Sequence, residues 1–221
     1  MFFEKIIQML YPYHCIFCGK STKNDSYTCE NCLTILQYYR VHQLPNNSER
    51  FYYDKAWAVF VYDGWIKAIV LKYKFHGQRF LSHFFSYQLF QKIMKTGIQF
   101  DVIVPVPISF SRWLQRGYNQ SAEIAYQISR KLHLAYDKSI LVKKRDNVQQ
   151  SSLQYHERMK NVKNVYQVKN PKKIQKKTVL LIDDIYTTGA TVNECARILK
   201  QSGAAQVIVL TIAYAKKDGK D

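Results

Sequence analysis

The sequence predicts an α/β protein in which helices flank a parallel sheet, with a small four-cysteine module at its amino-terminal end. Residues 179–182 (Val-Leu-Leu-Ile) are four consecutive apolar residues, which is typical of a strand buried on both faces of such a sheet. Residues 100–106 and 206–212 form two further apolar runs, and helical patterns separate the three. These alternating patterns favour a sheet whose strands are joined by helices.

The elements between the module and these strands follow in order. Residues 56–62 predict another strand, because they are rich in aromatic and β-branched side chains and end at an Asp-Gly turn. Residues 65–75 and 79–95 predict two helices, separated by a His-Gly stop. In the first of these helices four side chains share one face: Ile66, Ile69, Val70 and Tyr73.

Composition narrows the class of protein. At 221 residues the chain can hold one domain and a small appendage, and 47% hydrophobic residues indicate a globular protein. Lysine and arginine number 33 against 16 acidic residues, giving a formal charge of +17. This charge favours a polyanionic partner such as nucleic acid, although general solubility is the alternative. Because no apolar run approaches about 18 residues and residues 1–10 are too charged for a secretory signal, we expect a cytoplasmic location without stable membrane insertion.

The cysteine module has the spacing of a metal site. Cys15 and Cys18 form one Cys-x-x-Cys pair, and Cys29 and Cys32 form a second. In a cytosolic chain two such pairs predict a tetrahedral zinc site, and four thiolates leave no open position, so the zinc is expected to be structural. Two disulfides or a redox motif are the alternatives. We place the boundary near residue 45, with a module over 1–45 and the α/β domain over 46–221.

A candidate ligand site follows the strand at residues 179–182. Asp183 and Asp184 stand where we expect that strand to end, which is the edge where ligands bind in open α/β sheets. A short loop then opens a helix, where backbone N–H groups and the helix dipole favour an anion. The loop suits a phosphate and the aspartates suit two ribose hydroxyls; a capped helix without ligand is the alternative. The loop residues are Thr187, Thr188, Gly189, Ala190 and Thr191.

Basic residues interleaved with tyrosines suggest a nucleic-acid surface. Tyr73 lies between Lys72 and Lys74, and Tyr118 follows Arg116 closely. Single-strand binders combine a positive groove with aromatic faces on which any base stacks. We therefore expect sequence-tolerant binding of single-stranded DNA in preference to duplex. The alternative is that the tyrosines pack in the core and the lysines form a solvated face.

Residues 179–191 resemble the 5-phosphoribosyl-1-pyrophosphate (PRPP) motif of type I phosphoribosyltransferases: an apolar strand, Asp-Asp, two variable residues and Thr-Thr-Gly-Ala-Thr. The resemblance implies a type I phosphoribosyltransferase-like fold, with Asp183 and Asp184 as catalytic, PRPP-binding carboxylates and Mg²⁺ carrying the pyrophosphate charge. It also implies that residues 143–161 are a mobile loop that closes over PRPP; a plain exposed linker is the alternative. The loop expected to receive pyrophosphate contains Pro105, Val106 and Pro107.

Taken together, the motifs resemble the ComF family of competence-associated, phosphoribosyltransferase-like proteins. The resemblance rests on the order of the cysteine module, residues 104–107 (Val-Pro-Val-Pro), residues 116–120 (Arg-Gly-Tyr-Asn-Gln) and the PRPP motif. It implies a role in natural transformation and DNA uptake, handling single-stranded DNA beside a helicase-like ATPase of the same operon. It implies no established reaction, so enzymatic activity, of the glycosyltransferase class if present, stays open.

Two other functions fit parts of the pattern. An active phosphoribosyltransferase of nucleobase salvage would use the same aspartates with Mg²⁺. A pure binding module would keep the pocket without chemistry. The cysteine module weighs against the salvage enzyme, because ordinary salvage enzymes lack it where they recognise the base.

Overall fold

The computed structural model describes residues 14–22, 26–41, 44, 51–144 and 162–216. A parallel five-stranded sheet, in the order β1-β7-β6-β2-β3, forms its centre, and an antiparallel β4-β5 pair lies beside it. The strands are β1 (Lys55–Val61), β2 (Val102–Pro105), β3 (Ala135–Tyr136), β4 (Leu141–Lys143), β5 (Tyr166–Val168), β6 (Thr178–Tyr186) and β7 (Gln206–Tyr214). The helices are α1 (Glu30–Tyr38), α2 (Gly64–Phe75), α3 (Leu81–Thr96), α4 (Phe110–Arg116), α5 (Gln120–Leu132) and α6 (Ala190–Gln201).

The order of the strands creates a crevice between β2 and β6. The chain leaves β2 through α4 and α5 to β3 on one side, whereas it leaves β6 through α6 to β7 on the other. Because the two connections run in opposite directions, the loops after β2 and β6 leave a space between them at the carboxyl ends of these strands. In open α/β sheets such a switch point is where ligands bind.

Helices cover the sheet on both faces, which gives two apolar cores. Leu180 and Ile182 point into a core with α2, α3 and α5. Val179 and Leu181 point into a second core with α6 and the β4-β5 pair. All four side chains are fully buried, which confirms the prediction for residues 179–182.

The cysteine module packs on the same face as α2 and α3. The ring of Phe17 stacks on Trp65, with centroids 5.5 Å apart, and meets Phe84 edge-on at 5.9 Å. Leu36 of α1 is 1% exposed and belongs to the first core. The module is thus anchored by aromatic contacts. The predicted boundary at residue 45 falls among residues outside the described part of the chain, so the domain division stays a prediction.

The end of one predicted strand differs from the structure. Strand β6 does not end before the aspartates but runs through them to Tyr186, because β7 continues to pair with it. The predicted lid over residues 143–161 has only 143 and 144 among the described residues, and the remainder lies outside them. Among the described residues, no helix is long and apolar enough to cross a membrane.

Candidate functional site

The candidate site lies where β6 extends beyond β2. The last pair of β2 is Pro105 with Ile182, and the Val106 N–H then donates to the Ile182 carbonyl at 2.9 Å. Strand β6 continues along β7 as far as Tyr186. The stretch carrying Asp183 and Asp184 therefore faces a cavity of about 310 Å³ instead of a neighbouring strand on the β2 side.

The cavity brings together most of the predicted ligand residues. Two predicted residues are not among its lining: Pro105 ends β2, and the hydroxyl of Thr188 accepts a hydrogen bond from the Ala190 N–H at 3.3 Å. The pyrophosphate-loop residues Val106 and Pro107 do line it. From the motif, the lining residues are Asp183, Asp184, Thr187, Gly189, Ala190 and Thr191. The cations of the lining are Lys74, Arg112, Arg116 and Lys143.

Asp183 is the more constrained of the two carboxylates. Its Oδ1 accepts hydrogen bonds from the Ser121 hydroxyl at 3.2 Å and from the Asp184 N–H at 2.9 Å. Burial and the neighbouring Asp184 charge raise the pKa of Asp183 to about 7, although the Asp184 N–H, Lys74 and Ser121 oppose the rise. This carboxyl group therefore keeps its proton to a higher pH than an exposed aspartate does.

Asp184 carries an intramolecular counterion. Lys74 Nζ lies 2.8 Å from its Oδ2, and both side chains are largely buried. Lys74 lies in the last turn of α2, where a cation is favourable to the helix dipole. A diol that binds to Asp184 must therefore share this carboxylate with an ammonium group.

The loop before α6 has the geometry of an anion site. Gly189 is the N-cap of α6 with φ of +77°, and a Cβ there would lie 2.5 Å from the Tyr186 hydroxyl oxygen, so glycine is required. The Tyr186 hydroxyl is fixed by a 2.6 Å hydrogen bond with the Tyr53 hydroxyl. The N-cap residue, Gly189, has no side chain to cap α6, and the Ala190 N–H donates to the Thr188 hydroxyl. The other first-turn N–H groups of a helix have no acceptor within the helix itself. These donors suit a phosphate.

Arg116 adds a desolvated cation to the opposite wall. Its guanidinium lies 4.8 Å from the centroid of the Phe75 ring, and Nη1 donates to Gln120 Oε1 at 3.0 Å. Its buried Nε atom has no hydrogen-bond acceptor among the described residues. Burial lowers the pKa of Arg116, but arginine stays charged at physiological pH. The Arg116 guanidinium is thus suited to bind an anionic oxygen of a ligand.

The predicted nucleic-acid residues do not form a stacking surface. Tyr73 is fully buried and its hydroxyl donates to the Gln120 carbonyl at 2.9 Å, so the prediction that its ring meets a base is wrong. Lys72 is exposed, whereas Lys74 pairs with Asp184 and Arg116 lines the cavity.

The four predicted zinc ligands meet at one point. The Sγ atoms of Cys15, Cys18, Cys29 and Cys32 all lie within 4.8 Å of one another. The Cys18 and Cys29 Sγ atoms are 3.7 Å apart, too far for a disulfide, and all four are free thiols. Tetrahedral zinc with bonds of about 2.3 Å would place its sulfurs about 3.8 Å apart, so the donor set fits zinc. Burial alone would raise the pKa of Cys15, but N–H groups of Cys18, Cys29 and Phe17 lower it to about 6, whereas burial and the neighbouring thiols raise the pKa of Cys32.

Comparison with known proteins identifies the family. Residues 85–221 match the family described as the phosphoribosyl transferase domain. Competence protein F of Haemophilus influenzae is 28% identical over 91% of this chain and 90% of its own length. The DNA utilization protein YhgH of Escherichia coli K12 is 29% identical over 88% and 87%. Competence protein ComFC of Streptococcus pneumoniae is 28% identical over 87% and 96%.

Solved structures match a smaller part of the chain. The allosteric regulatory enzyme of purine biosynthesis matches 64% of it at 18% identity with a TM-score of 0.45, and the chain spans 30% of that enzyme's length.

The chain belongs to the phosphoribosyl transferase domain family, and relatives that share most of its length identify it as a competence-associated, ComF-type member.

Proposed function

We propose that this competence-associated, phosphoribosyltransferase-like protein binds PRPP in the 310 Å³ cavity and binds single-stranded DNA on its surface. The observation that supports the PRPP proposal is the meeting of a helix N-terminus whose N-cap is glycine, two carboxylates and four cations around one cavity. PRPP combines a phosphate, a diol and a pyrophosphate, and each of these groups has a matching partner there.

Different residues of the cavity bind the different groups of PRPP. The first-turn N–H groups of α6 and the hydroxyls of Thr187 and Thr191 bind the phosphate. Asp183 and Asp184 accept hydrogen bonds from the ribose hydroxyls. On the other side, Arg112, Arg116 and Lys143 offset the charge of the pyrophosphate.

The site also suits Mg²⁺ carried by the ligand. Magnesium sites use one or two carboxylates together with substrate phosphates, and Asp183 and Asp184 provide such carboxylates at the cavity wall. When bound, Mg²⁺ supplies positive charge to the pyrophosphate. We propose that structural zinc binds to the four-cysteine cluster, whose residues are not among those lining this cavity.

Calorimetric titration with PRPP tests the proposal. We expect binding that strengthens in Mg²⁺, and ribose 5-phosphate should bind more weakly because it lacks the pyrophosphate. Absence of binding at millimolar PRPP with Mg²⁺ would contradict the proposal. Pyrophosphate release with added nucleobases distinguishes the salvage enzyme, since a protein that only binds PRPP releases none.

The DNA half of the proposal rests on charge and on relatives. The chain carries a formal charge of +17, and the relatives are named for competence and DNA utilization. Because single-strand binding releases counterions, the logarithm of the affinity should fall with the logarithm of salt concentration by about 0.7 per phosphate contacted. A titration of a labelled oligonucleotide at several salt concentrations tests this.

The cellular setting is part of the same proposal. We place the protein in the cytoplasm, where incoming single-stranded DNA and PRPP would both be available, beside the helicase-like ATPase that the family resemblance implies. Co-purification of the two proteins with and without single-stranded DNA tests that partnership.

A further inference from the structure

Helix α4 exposes an aromatic pair at the protein surface. Phe110 is 71% exposed and Trp113 is 48% exposed. Their rings are nearly parallel, with an angle of 16° and centroids 6.0 Å apart. Leu114 on the same helix is 63% exposed. Large apolar groups that cluster on a surface commonly mark a binding site.

A second cavity, of about 700 Å³, begins beside this pair. Both Phe110 and Trp113 line it, and Tyr126 and Tyr136 form a further aromatic wall with an edge-to-face contact at 5.7 Å. It shares Pro107, Ile108 and Lys143 with the PRPP cavity, so the two cavities adjoin. The second cavity is large enough for more than one planar ring, since ligand pockets of about 300–1,000 Å³ hold drug-sized molecules.

The charge around the second cavity is positive. Arg79, Lys138 and Lys143 line it, whereas its carboxylate, Glu123, forms an ion pair with Arg79. The Arg79 guanidinium also lies 5.4 Å from the Tyr118 ring centroid. A surface that combines flat apolar faces with cations matches a ligand that combines flat apolar groups with regular negative charges.

We propose that the Phe110–Trp113 pair and the adjoining second cavity form the site at which single-stranded DNA binds, with bases stacked on the aromatic rings and phosphates beside Lys138 and Lys143. This inference rests on the proposed DNA binding and assigns it a place. A single strand has bases free to stack, whereas duplex bases already stack on one another, so the site favours single strands. An aliphatic protein partner would use the aromatic rings but would have no need of the cations.

Measured affinity for a labelled 20-nucleotide oligo-dT tests the site. Trp113→Ala and Phe110→Ala should each weaken binding by about fivefold to a hundredfold, because one stacked base is lost. Trp113→Phe keeps an aromatic face and should retain most of the affinity. Tyr38→Ala is the matched control, since Tyr38 is an 84% exposed aromatic on α1, and should bind like the wild type.

The salt dependence separates stacking from charge. Trp113→Ala should keep the wild-type slope of affinity against salt, because it removes no cation. Lys138→Gln should reduce the slope by about 0.7, the value for one single-strand phosphate. The substituted side chains are exposed, so the thermal midpoints are expected to match the wild type and to show that the variants are folded.

The outcomes distinguish this inference from the function on which it rests. If the wild type does not bind oligo-dT at low salt, the proposed DNA binding itself fails. If the wild type binds but both alanine variants bind equally well, the DNA site lies elsewhere and this inference alone is overturned. Unchanged DNA affinity combined with loss of a protein partner from the variants would assign the aromatic pair to protein docking. Equal affinity for oligo-dT and oligo-U would extend the site to RNA.

Discussion

Lys74 Nζ lies 2.8 Å from Oδ2 of Asp184, and the two side chains are 14% and 15% exposed. The ion pair joins the end of α2 to the central strand β6. Because α2 packs in the first core, where the cysteine module also packs, the pair connects that core to the candidate ligand site. Its charge also reaches Asp183, whose pKa it lowers against the stronger effects of burial and Asp184. One lysine therefore influences both carboxylates.

Lys74→Gln is expected to lower the free energy of unfolding by about 1–3 kcal/mol, because it leaves Asp184 without its partner beside a second carboxyl group. The same change should raise the pKa of Asp183 further. Urea denaturation measures the first effect and carboxyl-carbon NMR the second. Lys72→Gln, on an exposed position of the same helix, is the matched control. Equal stability of the two variants would show that the ion pair has no structural effect.

The pKa of Asp183 predicts how stability depends on pH. Folding raises that pKa from its ordinary value to about 7, so between about pH 4 and pH 7 the folded chain holds a proton that the unfolded chain has lost. The contribution of Asp183 to stability therefore falls as pH rises through this window and is constant above it. Asp183→Asn removes the titration, so its thermal midpoint relative to the wild type should rise from pH 5 to pH 8.

Asp137 supplies the control of opposite sign. Lys173 and Ser139 hold the pKa of Asp137 below its ordinary value against the effect of burial. Its stabilising effect is complete above about pH 4 and is lost only in more acidic solution. Asp137→Asn should therefore lower the midpoint by the same amount at pH 5 and pH 8. A difference between wild type and Asp183→Asn that does not change with pH would contradict the raised pKa of Asp183.

The contiguous features of this site could be predicted from sequence, whereas the contacts between distant segments could not. The burial of residues 179–182 and the N-terminal loop of α6 depend on neighbouring residues, and local pattern suffices for them. The Lys74–Asp184 pair depends on how α2 packs against β6, which no local pattern specifies.

Tyr73 and the Phe110–Trp113 pair differ in how much the sequence shows of their exposure. Helical spacing already placed Tyr73 with Ile66, Ile69 and Val70, and this apolar face was the better guide to its burial than the flanking lysines. Phe110 and Trp113 lie in a helix of seven residues, which is too short for periodicity to show which face is covered. Their exposure follows from tertiary packing alone.

Gly189→Ala should destabilise the protein and weaken PRPP binding. The backbone at this position has φ of +77°, and the new Cβ would meet the Tyr186 hydroxyl at 2.5 Å. We expect a loss of about 2–4 kcal/mol in the free energy of unfolding, from strain and steric conflict together. Gly97→Ala measures the backbone strain alone, because Gly97 has φ of +62° but an added Cβ there would have nothing within 4 Å. It should lose about 1 kcal/mol. Equal losses would show that the contact with Tyr186 has no effect.

The paired substitution Asp183→Asn with Asp184→Asn should weaken PRPP binding about tenfold or more, because charge-assisted hydrogen bonds to the ribose become neutral ones. The thermal midpoint should stay near that of the wild type, since relief of the buried Asp183 charge offsets loss of the Lys74 ion pair. Calorimetry in Mg²⁺ measures the affinity, with Asp137→Asn as the control outside the cavity. Unfolding of the double variant would show that the aspartates are structural.

The cysteine cluster should hold one zinc per chain. The four Sγ atoms lie within 4.8 Å of one another, and structural zinc sites contribute on the order of 10–16 kcal/mol of apparent binding energy. Because Phe17 and α1 connect the cluster to the first core, removal of zinc should expose the Phe17–Trp65 contact. A chelator is therefore expected to change tryptophan fluorescence as zinc leaves.

Elemental analysis of the reduced protein checks this prediction directly, and less than about half an equivalent of zinc would contradict it. Cys32→Ser removes a buried ligand on α1 and should lose both the metal and the fluorescence change. Cys195→Ser is the matched control, because Cys195 is also a fully buried free thiol but packs in the second core with α6. That variant should be less stable than the wild type and still contain one zinc. Loss of zinc from both variants would mean that metal retention reports only general folding, whereas loss from Cys32→Ser alone assigns the metal to the four-cysteine cluster.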